Sequence, residues 1–294
     1  MGSYLFRKLG SVMILPVFTL VMVITLSVPI AAQRRTCRSV SGISALLKQG
    51  SILLFGELHG TQQAPAFIAD VVCRAAKKRI PITLGLEIPF EEQAAIDRFL
   101  DSKGDAAAVT QLTEGTFWNP AFPDGRSSLG MLQLIEQVRA LRARGSKLRI
   151  AAFTGASTLR SQERDRAMAQ TLASVANRAP KGLLIVLSGN VHNRLTRGTS
   201  FNTAYEPMGY LLTKSISSSR ITSLDMSHDG GEAWGCRTPS PDADQVTCST
   251  YSFKPVVGAT TWSLTLTDSP DAPFSGTFGV GRITASPPVK GQTR

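Results

Sequence analysis

The stretch SILLFGELHG, residues 51–60, joins a short apolar run to the segment Gly-Glu-Leu-His. Its apolar residues do not alternate with polar ones, a pattern typical of a strand that is covered on both faces of a parallel sheet. Equivalent apolar runs occupy residues 82–86, 148–153 and 183–187. Because breaks rich in glycine or proline and longer amphipathic segments separate the runs, residues 51–192 are predicted to form repeated βα units.

The amphipathic segments predict the helices of these units. In residues 64–78 the apolar side chains fall on one helical face, and residues 132–141 and 161–177 repeat the pattern. Residues 101–128 follow neither a helical nor a strand period, but they contain two phenylalanines and a tryptophan. We therefore expect a long loop there that is ordered by its aromatic side chains.

The helical period disappears after residue 200. Three short strands are predicted instead, at residues 220–226, 262–266 and 277–283. The predicted fold class is therefore α/β, with a parallel-sheet core flanked by helices and a β-rich C-terminal extension. We assign residues 45–200 to the α/β domain, residues 201–285 to its β-rich extension and residues 286–294 to a flexible tail.

The N-terminal residues predict export. The basic residues Arg7 and Lys8 precede a nearly continuous apolar run over residues 12–30, and two alanines follow that run. Residues 1–32 are therefore expected to be a signal peptide; an uncleaved membrane anchor is the alternative, because the apolar run is long. The predicted location is periplasmic or secreted, and cleavage would leave no membrane span in the mature chain.

The chain contains four cysteines. In an oxidising compartment such a number permits one or two disulfides. Cys236 and Cys248 are predicted to close a surface loop that is rich in proline and acidic residues. Cys37 and Cys73 would then form the second pair.

Composition limits the classes of function. Hydrophobic residues make up 43% of the chain, which excludes global disorder, and the net charge of +11 permits attraction to anionic surfaces. The basic residues nevertheless form short clusters that alternate with apolar residues at helical spacing, as on solvated helix faces. The sequence therefore predicts no nucleic-acid partner.

Ionisable residues follow three of the four predicted strands. Glu57 and His59 follow the first strand, Glu87 ends the second, and His192 follows the fourth in the same Gly-x-x-His frame as His59. Ligands of open α/β sheets bind at the carboxyl ends of the strands, and a carboxylate in such an apolar setting needs a polar partner. These four side chains are predicted to form one catalytic site, whereas His228, in a polar run, is not.

The order of these motifs resembles a known superfamily. Gly-Glu-x-His after the first strand, Gly-x-Glu at the second, Arg164-Asp165 followed by Met168-Ala169, and Gly-Asn-x-His after a later strand carry the resemblance. They are similar to the superfamily that joins erythromycin esterases, ChaN haem-binding lipoproteins and the Tiki and TraB proteins. The resemblance covers about residues 45–200, and the order and spacing of the motifs are most similar to those of the ChaN-like branch.

The resemblance implies the fold but leaves three chemistries open. Esterase relatives use the His and Glu set to activate water without a metal, Tiki-like relatives use it as a metal site for peptide cleavage, and ChaN-like relatives are associated with haem. The chain departs from the haem lipoproteins at two places. It has no lipobox cysteine, and its third strand ends in Phe153-Thr154-Gly155 without an acid.

Each chemistry assigns different roles to the same residues. His59, Glu87 and His192 could ligate zinc or another divalent metal, with the second glutamate as general base. Without a metal, His59 would take the proton from water, oriented by Glu87, while His192 stabilises the oxyanion. Haem, the alternative cofactor, needs a histidine or tyrosine facing an apolar slot, for which residues 117–122 are a candidate.

The leading hypothesis is an exported hydrolase that cleaves an ester or peptide bond in a small-molecule or peptide substrate. The predicted substrate-binding residues are Arg164, Asp165, Trp118 and Asn190. Arg164 would bind a substrate carboxylate or hold Glu57. A haem-binding protein of iron uptake is the first alternative, and a non-catalytic binding protein is the second.

Overall fold

A computed structural model of the chain describes residues 1–2, 37–155, 161–238, 245–269 and 271–290. The expected signal peptide or anchor lies, except for its first two residues, outside these ranges. Within them, no helix is both long enough and apolar enough to cross a membrane. The compact unit that begins at Cys37 contains the elements described below.

The described ranges contain six α-helices and nine strands. The helices are α1 (Gln63–Lys77), α2 (Gln93–Asp101), α3 (Ala106–Leu112), α4 (Leu129–Ala143), α5 (Ser161–Arg178) and α6 (Met208–Leu212). The strands are β1 (Ile52–Glu57), β2 (Ile82–Pro89), β3 (Leu148–Thr154), β4 (Leu183–Gly189), β5 (Ile221–Ser227), β6 (Gly231–Arg237), β7 (Thr247–Phe253), β8 (Ser263–Leu266) and β9 (Gly276–Gly279).

Seven strands form one sheet in the order β3-β2-β4-β1-β5-β9-β8. The first six run parallel, and only the edge strand β8 is antiparallel to its neighbour β9. The predicted α/β fold with a parallel sheet is therefore confirmed. Three strands of the C-terminal extension, β5, β9 and β8, continue this sheet.

Both faces of the sheet are covered, which explains why the strand sequences do not alternate. Leu53 and Phe55 of β1 pack in a cluster with α1, α2 and α4. Ile52 and Leu54 point to the opposite face, into a second cluster with α5 and α6. Successive side chains of a strand point to opposite faces, so β1 is apolar throughout.

The sequence between α2 and α4 is more regular than we expected. Residues 101–128 were predicted to be a loop, but they include helix α3, whose first turn is capped by the carboxylate of Asp105, 3.0 Å from the backbone nitrogen of Ala108. The aromatic residues do order the rest of the segment. Phe117 and Trp118 are buried with their ring centroids 5.0 Å apart.

The C-terminal region differs from the prediction in two ways. Strands β6 and β7 form a separate antiparallel hairpin that the sequence did not indicate, because Gly, Ser and Thr interrupt the apolar alternation of its strands. The expected flexible tail is wrong for residues 286–289. Ser286 is fully buried and its hydroxyl accepts a hydrogen bond from the Gly130 nitrogen of α4.

Both expected disulfides are present. Cys37 pairs with Cys73 of α1, and Cys236 of β6 pairs with Cys248, directly opposite it on β7. Two disulfides in one chain are typical of proteins that fold in an oxidising compartment.

Candidate active site

Three neighbouring strands deliver the site to one edge of the sheet. Strand β4 lies between β1 and β2, and its last residue, Gly189, stands opposite Glu57 at the end of β1. Glu87 lies near the end of β2. The chain turns directly after β1 and β4, which brings His59 and His192 to the same edge. The four side chains expected to converge therefore lie together.

His59 lies between two carboxylates. Its Nδ1 is 3.0 Å from Oε1 of Glu57, and its Nε2 is 3.4 Å from Oε2 of Glu87. Both glutamates are 4% exposed, so neither charge is satisfied by bulk water.

His192 is anchored on its other side by a carboxylate from α5. Its Nδ1 lies 2.9 Å from Oδ1 of Asp165, and its Nε2 is 3.8 Å from Oε1 of Glu87. Asp165 is fully buried and also accepts hydrogen bonds from the Tyr205 hydroxyl and the Met208 backbone nitrogen. Asp165 was expected to bind substrate, but no part of it reaches solvent. Its carboxylate instead positions His192 through the contact with Nδ1.

Arg126 is a site residue that the sequence did not indicate. Its guanidinium lies 3.4 Å from Oε1 of Glu87 and 2.8 Å from Oδ2 of Asp124. Arg126 and Asp124 come from the irregular segment before α4, where no periodicity marks a side chain as inward-facing. Glu87 thus has three cationic or potentially cationic neighbours, namely Arg126 and the two imidazoles.

Gly189 allows these groups to approach. Its backbone nitrogen donates a hydrogen bond of 2.8 Å to Oε2 of Glu87. A Cβ at this position would lie 2.9 Å from Nε2 of His59, closer than such contacts normally allow. The glycine of the Gly-Asn-x-His motif is therefore required by the geometry of the cluster.

Burial and charge act in opposite directions on these groups. Burial alone would lower the pKa of His59, but the carboxylates of Glu87 and Glu57 outweigh it and raise that pKa to about 10. Burial alone would raise the pKa of Glu87, but the two imidazoles and Arg126 hold it well below its usual range. Burial raises the pKa of Glu57 despite its contact with His59. The cluster therefore favours an ionised Glu87 beside a charged His59.

A cleft of about 490 Å³ opens at the cluster. Its far wall is the β6–β7 hairpin, which contributes Trp234 and Tyr251. The backbone nitrogen of Trp234 donates to the carbonyl oxygen of Gly60 (2.9 Å), and its indole Nε1 donates to that of Pro123 (2.7 Å). Hydrogen bonds therefore connect the hairpin to the loop that contains His59 and to the loop that contains Arg126.

The four predicted substrate-binding residues have different positions. Arg164 and Asn190 line the cleft, and Asn190 also donates a hydrogen bond to Asp225, whose pKa is nevertheless raised by burial. Asp165 lies behind His192. The expectation for Trp118 is wrong: its ring is fully buried in the core and does not line the cleft.

The donor set does not fit a metal ion. In the part of the chain that the structure describes, no group of three or more His, Cys, Asp or Glu side chains is arranged to hold one. The Nε2 atoms of His59 and His192 flank Glu87, and Arg126 contacts the same carboxylate. A divalent cation among them would be repelled by the guanidinium and by an imidazolium. We therefore derive no catalytic step from metal ligation by His59, Glu87 and His192.

His59 does not fit an iron ligand for haem. A charged imidazole has no lone pair to donate, and the carboxylates around His59 favour that form. Of the apolar slot expected at residues 117–122, Trp118 packs into the core and lines no cavity, whereas Phe117 and Phe122 line a cavity next to the cleft. Tyr251, which lines the cleft, donates its hydroxyl to the carbonyl oxygen of Thr247.

Comparisons with known proteins show the fold. No family model and no curated protein matches the chain. An open-conformation variant of the erythromycin esterase EreC is 13% identical, covers 84% of this chain and 94% of its own, and superposes with a TM-score of 0.61. A protein from Bacillus cereus is 12% identical, with coverages of 84% and 92% and a TM-score of 0.52. These two likenesses confirm the fold that the sequence resemblance implied.

A third solved structure shows cofacial haem binding to ChaN of Campylobacter jejuni. It is 14% identical, covers 72% of this chain and 90% of its own, and has a TM-score of 0.37. A likeness of this size does not bear on the chemistry of the present site.

Proposed function

We propose that the protein is an exported hydrolase that cleaves an ester bond by histidine-assisted attack of water. One observation carries the proposal: the Nε2 atoms of two imidazoles flank a single ionised carboxylate at an open cleft. Both Nδ1 atoms are held by other buried carboxylates. This arrangement fixes the orientation of two proton-transfer groups, as hydrolysis requires. The fold shared with an esterase and the two disulfides support the proposal.

His192 is the base in this mechanism. Because its Nδ1–H donates to Asp165, its Nε2 carries the free lone pair. Nε2 is 3.8 Å from Oε1 of Glu87, too far for a direct hydrogen bond. A water molecule that donates to both atoms has an oxygen lone pair directed into the cleft. His192 takes one proton from this water as its oxygen bonds to the ester carbonyl carbon.

His59 and Arg126 supply positive charge for the oxyanion that forms. These roles are the reverse of those expected from the sequence, where His59 took the proton from water. The reason is electrostatic: a base must be neutral, and two carboxylates favour the charged form of His59. When the tetrahedral intermediate collapses, the bond to the alcohol oxygen breaks. The proton on His192 passes to that oxygen, which releases an acid and an alcohol.

Hydrolysis of a panel of aryl and alkyl esters by the chelator-treated protein tests the proposal. The wild type is expected to turn over, and His192→Gln should lower turnover at least about a hundredfold. The third histidine provides the control. His228 does not line the cleft, so His228→Gln should retain most of the activity. No hydrolysis by the wild type, or equal loss in both variants, would contradict the proposal.

Export is tested separately. N-terminal sequencing of protein recovered from outside the cytosol should show a chain that begins after the apolar run of residues 12–30. A chain that keeps residues 1–32 would instead support the anchor.

A further inference from the structure

A second cavity of about 500 Å³ adjoins the cleft. The two share the side chains of Asp124, Arg126 and Arg164 as lining residues. A substrate bound at the histidines can therefore extend past Arg164 into this second cavity.

The walls of the second cavity carry polar atoms without partners. Ser127 and Thr154 line the cavity and are only 2% and 3% exposed. Their hydroxyl oxygens are buried and make no hydrogen bond. Leaving a buried hydroxyl unpaired is costly, and most buried polar groups in proteins are satisfied. Two such hydroxyls on residues that line one cavity indicate that a polar ligand group completes their bonding.

Arg164 adds the charge. Its Nε is buried without a hydrogen-bond partner. Among the described residues that line the cavity, the second arginine is Arg126, which is already shared by Glu87 and Asp124. In the described part of the lining the remaining acid is Glu91, which is exposed to solvent.

We propose that the second cavity binds a carboxylate of the substrate, with Arg164 as its cationic partner and the hydroxyls of Ser127 and Thr154 as hydrogen-bond donors. That the bound carboxylate belongs to a substrate rests on the proposed hydrolysis. Binding of a carboxylate in the cavity does not depend on it. An arginine fork with flanking hydroxyl donors matches the two oxygens of a carboxylate.

The rest of the cavity fits an apolar body next to that carboxylate. Pro89, Phe117 and Pro120 line it, and Phe122 stands at its rim with 56% of its surface exposed. An exposed phenylalanine beside an apolar wall can cover the hydrocarbon part of a ligand. The substrate class is thus an ester of an organic acid that carries a second, free carboxylate on an apolar body.

Binding of 4-phenylbutyrate and of its uncharged amide to the full chain tests the site without hydrolysis. By calorimetry the wild type should bind the carboxylate at least about tenfold more tightly than the amide. Arg164→Gln should remove this preference, and Arg164→Lys should restore part of it. Arg166→Gln is the matched control on the same helix, because Arg166 is exposed and pairs with Glu206. It should behave as the wild type.

Thr154→Val provides an independent measurement. The substitution keeps the shape and removes the unpaired hydroxyl, so it should weaken carboxylate binding while the melting temperature stays the same or rises. A merely structural hydroxyl would give a lower melting temperature. Equal binding of carboxylate and amide, no binding of either, or an equal loss in Arg166→Gln would overturn the assignment. Carboxylate binding without hydrolysis of any ester would overturn the proposed function and leave the cavity assignment standing.

Discussion

Nε2 of His59 and Oε2 of Glu87 lie 3.4 Å apart, although the strands that deliver them, β1 and β2, are not neighbours in the sheet. Strand β4 separates them, and its last residue makes the contact possible. Gly189 donates its backbone N–H to Glu87 and leaves open the space that a side chain would fill. Three strands therefore determine one ion pair.

Gly189→Ala is expected to lower turnover at least about tenfold, because its Cβ would lie 2.9 Å from Nε2 of His59. The matched control is Gly235→Ala in the hairpin wall, where an added Cβ would meet no atom within 4 Å. Steady-state kinetics with the most active ester compares the two. Similar losses in both variants would show that the close approach at Gly189 has no special role.

Glu87→Gln keeps the shape of the side chain and removes its charge. Turnover should fall about a hundredfold or more, because the charge no longer holds His59 in its cationic form. The pH profile provides a second readout. Activity of the wild type should decline on the alkaline side near the pKa of His59, about 10. In the variant that decline should move to lower pH, because burial lowers the pKa of His59 and the charge of Glu87 no longer opposes it. An unchanged alkaline limb would contradict this role of Glu87.

Asp165→Asn should cost at least about a hundredfold in turnover, because an amide can donate to Nδ1 of His192 and so favour the wrong tautomer. Tyr205→Phe is the control at the same carboxylate. It removes one hydrogen bond of Asp165, costs about 1 kcal/mol of stability and keeps the contact with His192. If Tyr205→Phe lowered turnover as much as Asp165→Asn, general loosening of the site would explain both.

The His59 contacts should also make stability depend on pH. The folded-state pKa of His59 is raised from 6.5 to about 10, so its contribution is complete below about pH 6.5 and is lost as the pH rises towards 10. The difference in melting temperature between the wild type and His59→Gln should therefore shrink between pH 7 and 10. A constant difference over that range would argue against a charged His59.

The disulfides should differ in their effect on the cleft. Replacing Cys236 and Cys248 by serine should raise the KM several-fold, because the two strands of the hairpin wall are then joined to each other only by hydrogen bonds. Replacing Cys37 and Cys73 by serine removes a crosslink between residues 36 positions apart. It should lower the free energy of unfolding by about 3 to 4 kcal/mol without changing the KM. Thiol counting on the denatured, unreduced protein should give none; four free thiols would contradict both pairs.

Most of the sheet could be predicted because buried parallel strands are continuous apolar runs, and their ends mark the site. The role of Asp165 was also readable in principle. It lies three residues before the buried Met168 and thus on the inward face of α5, where an acid needs a partner. Arg126 and the β6–β7 hairpin could not be found in this way. Their positions depend on contacts between distant loops, for which the local sequence has no period.

The protonation state of the histidines tests the account most directly. Nitrogen NMR of imidazole-labelled protein, with His59→Gln, His192→Gln and His228→Gln for assignment, reports the charge and tautomer of each ring. We expect His59 to carry both protons up to about pH 10. The neutral form of His192 should carry its proton on Nδ1, which contacts Asp165. Titration of His59 near pH 6.5, or a proton on Nε2 of neutral His192, would contradict the proposed mechanism.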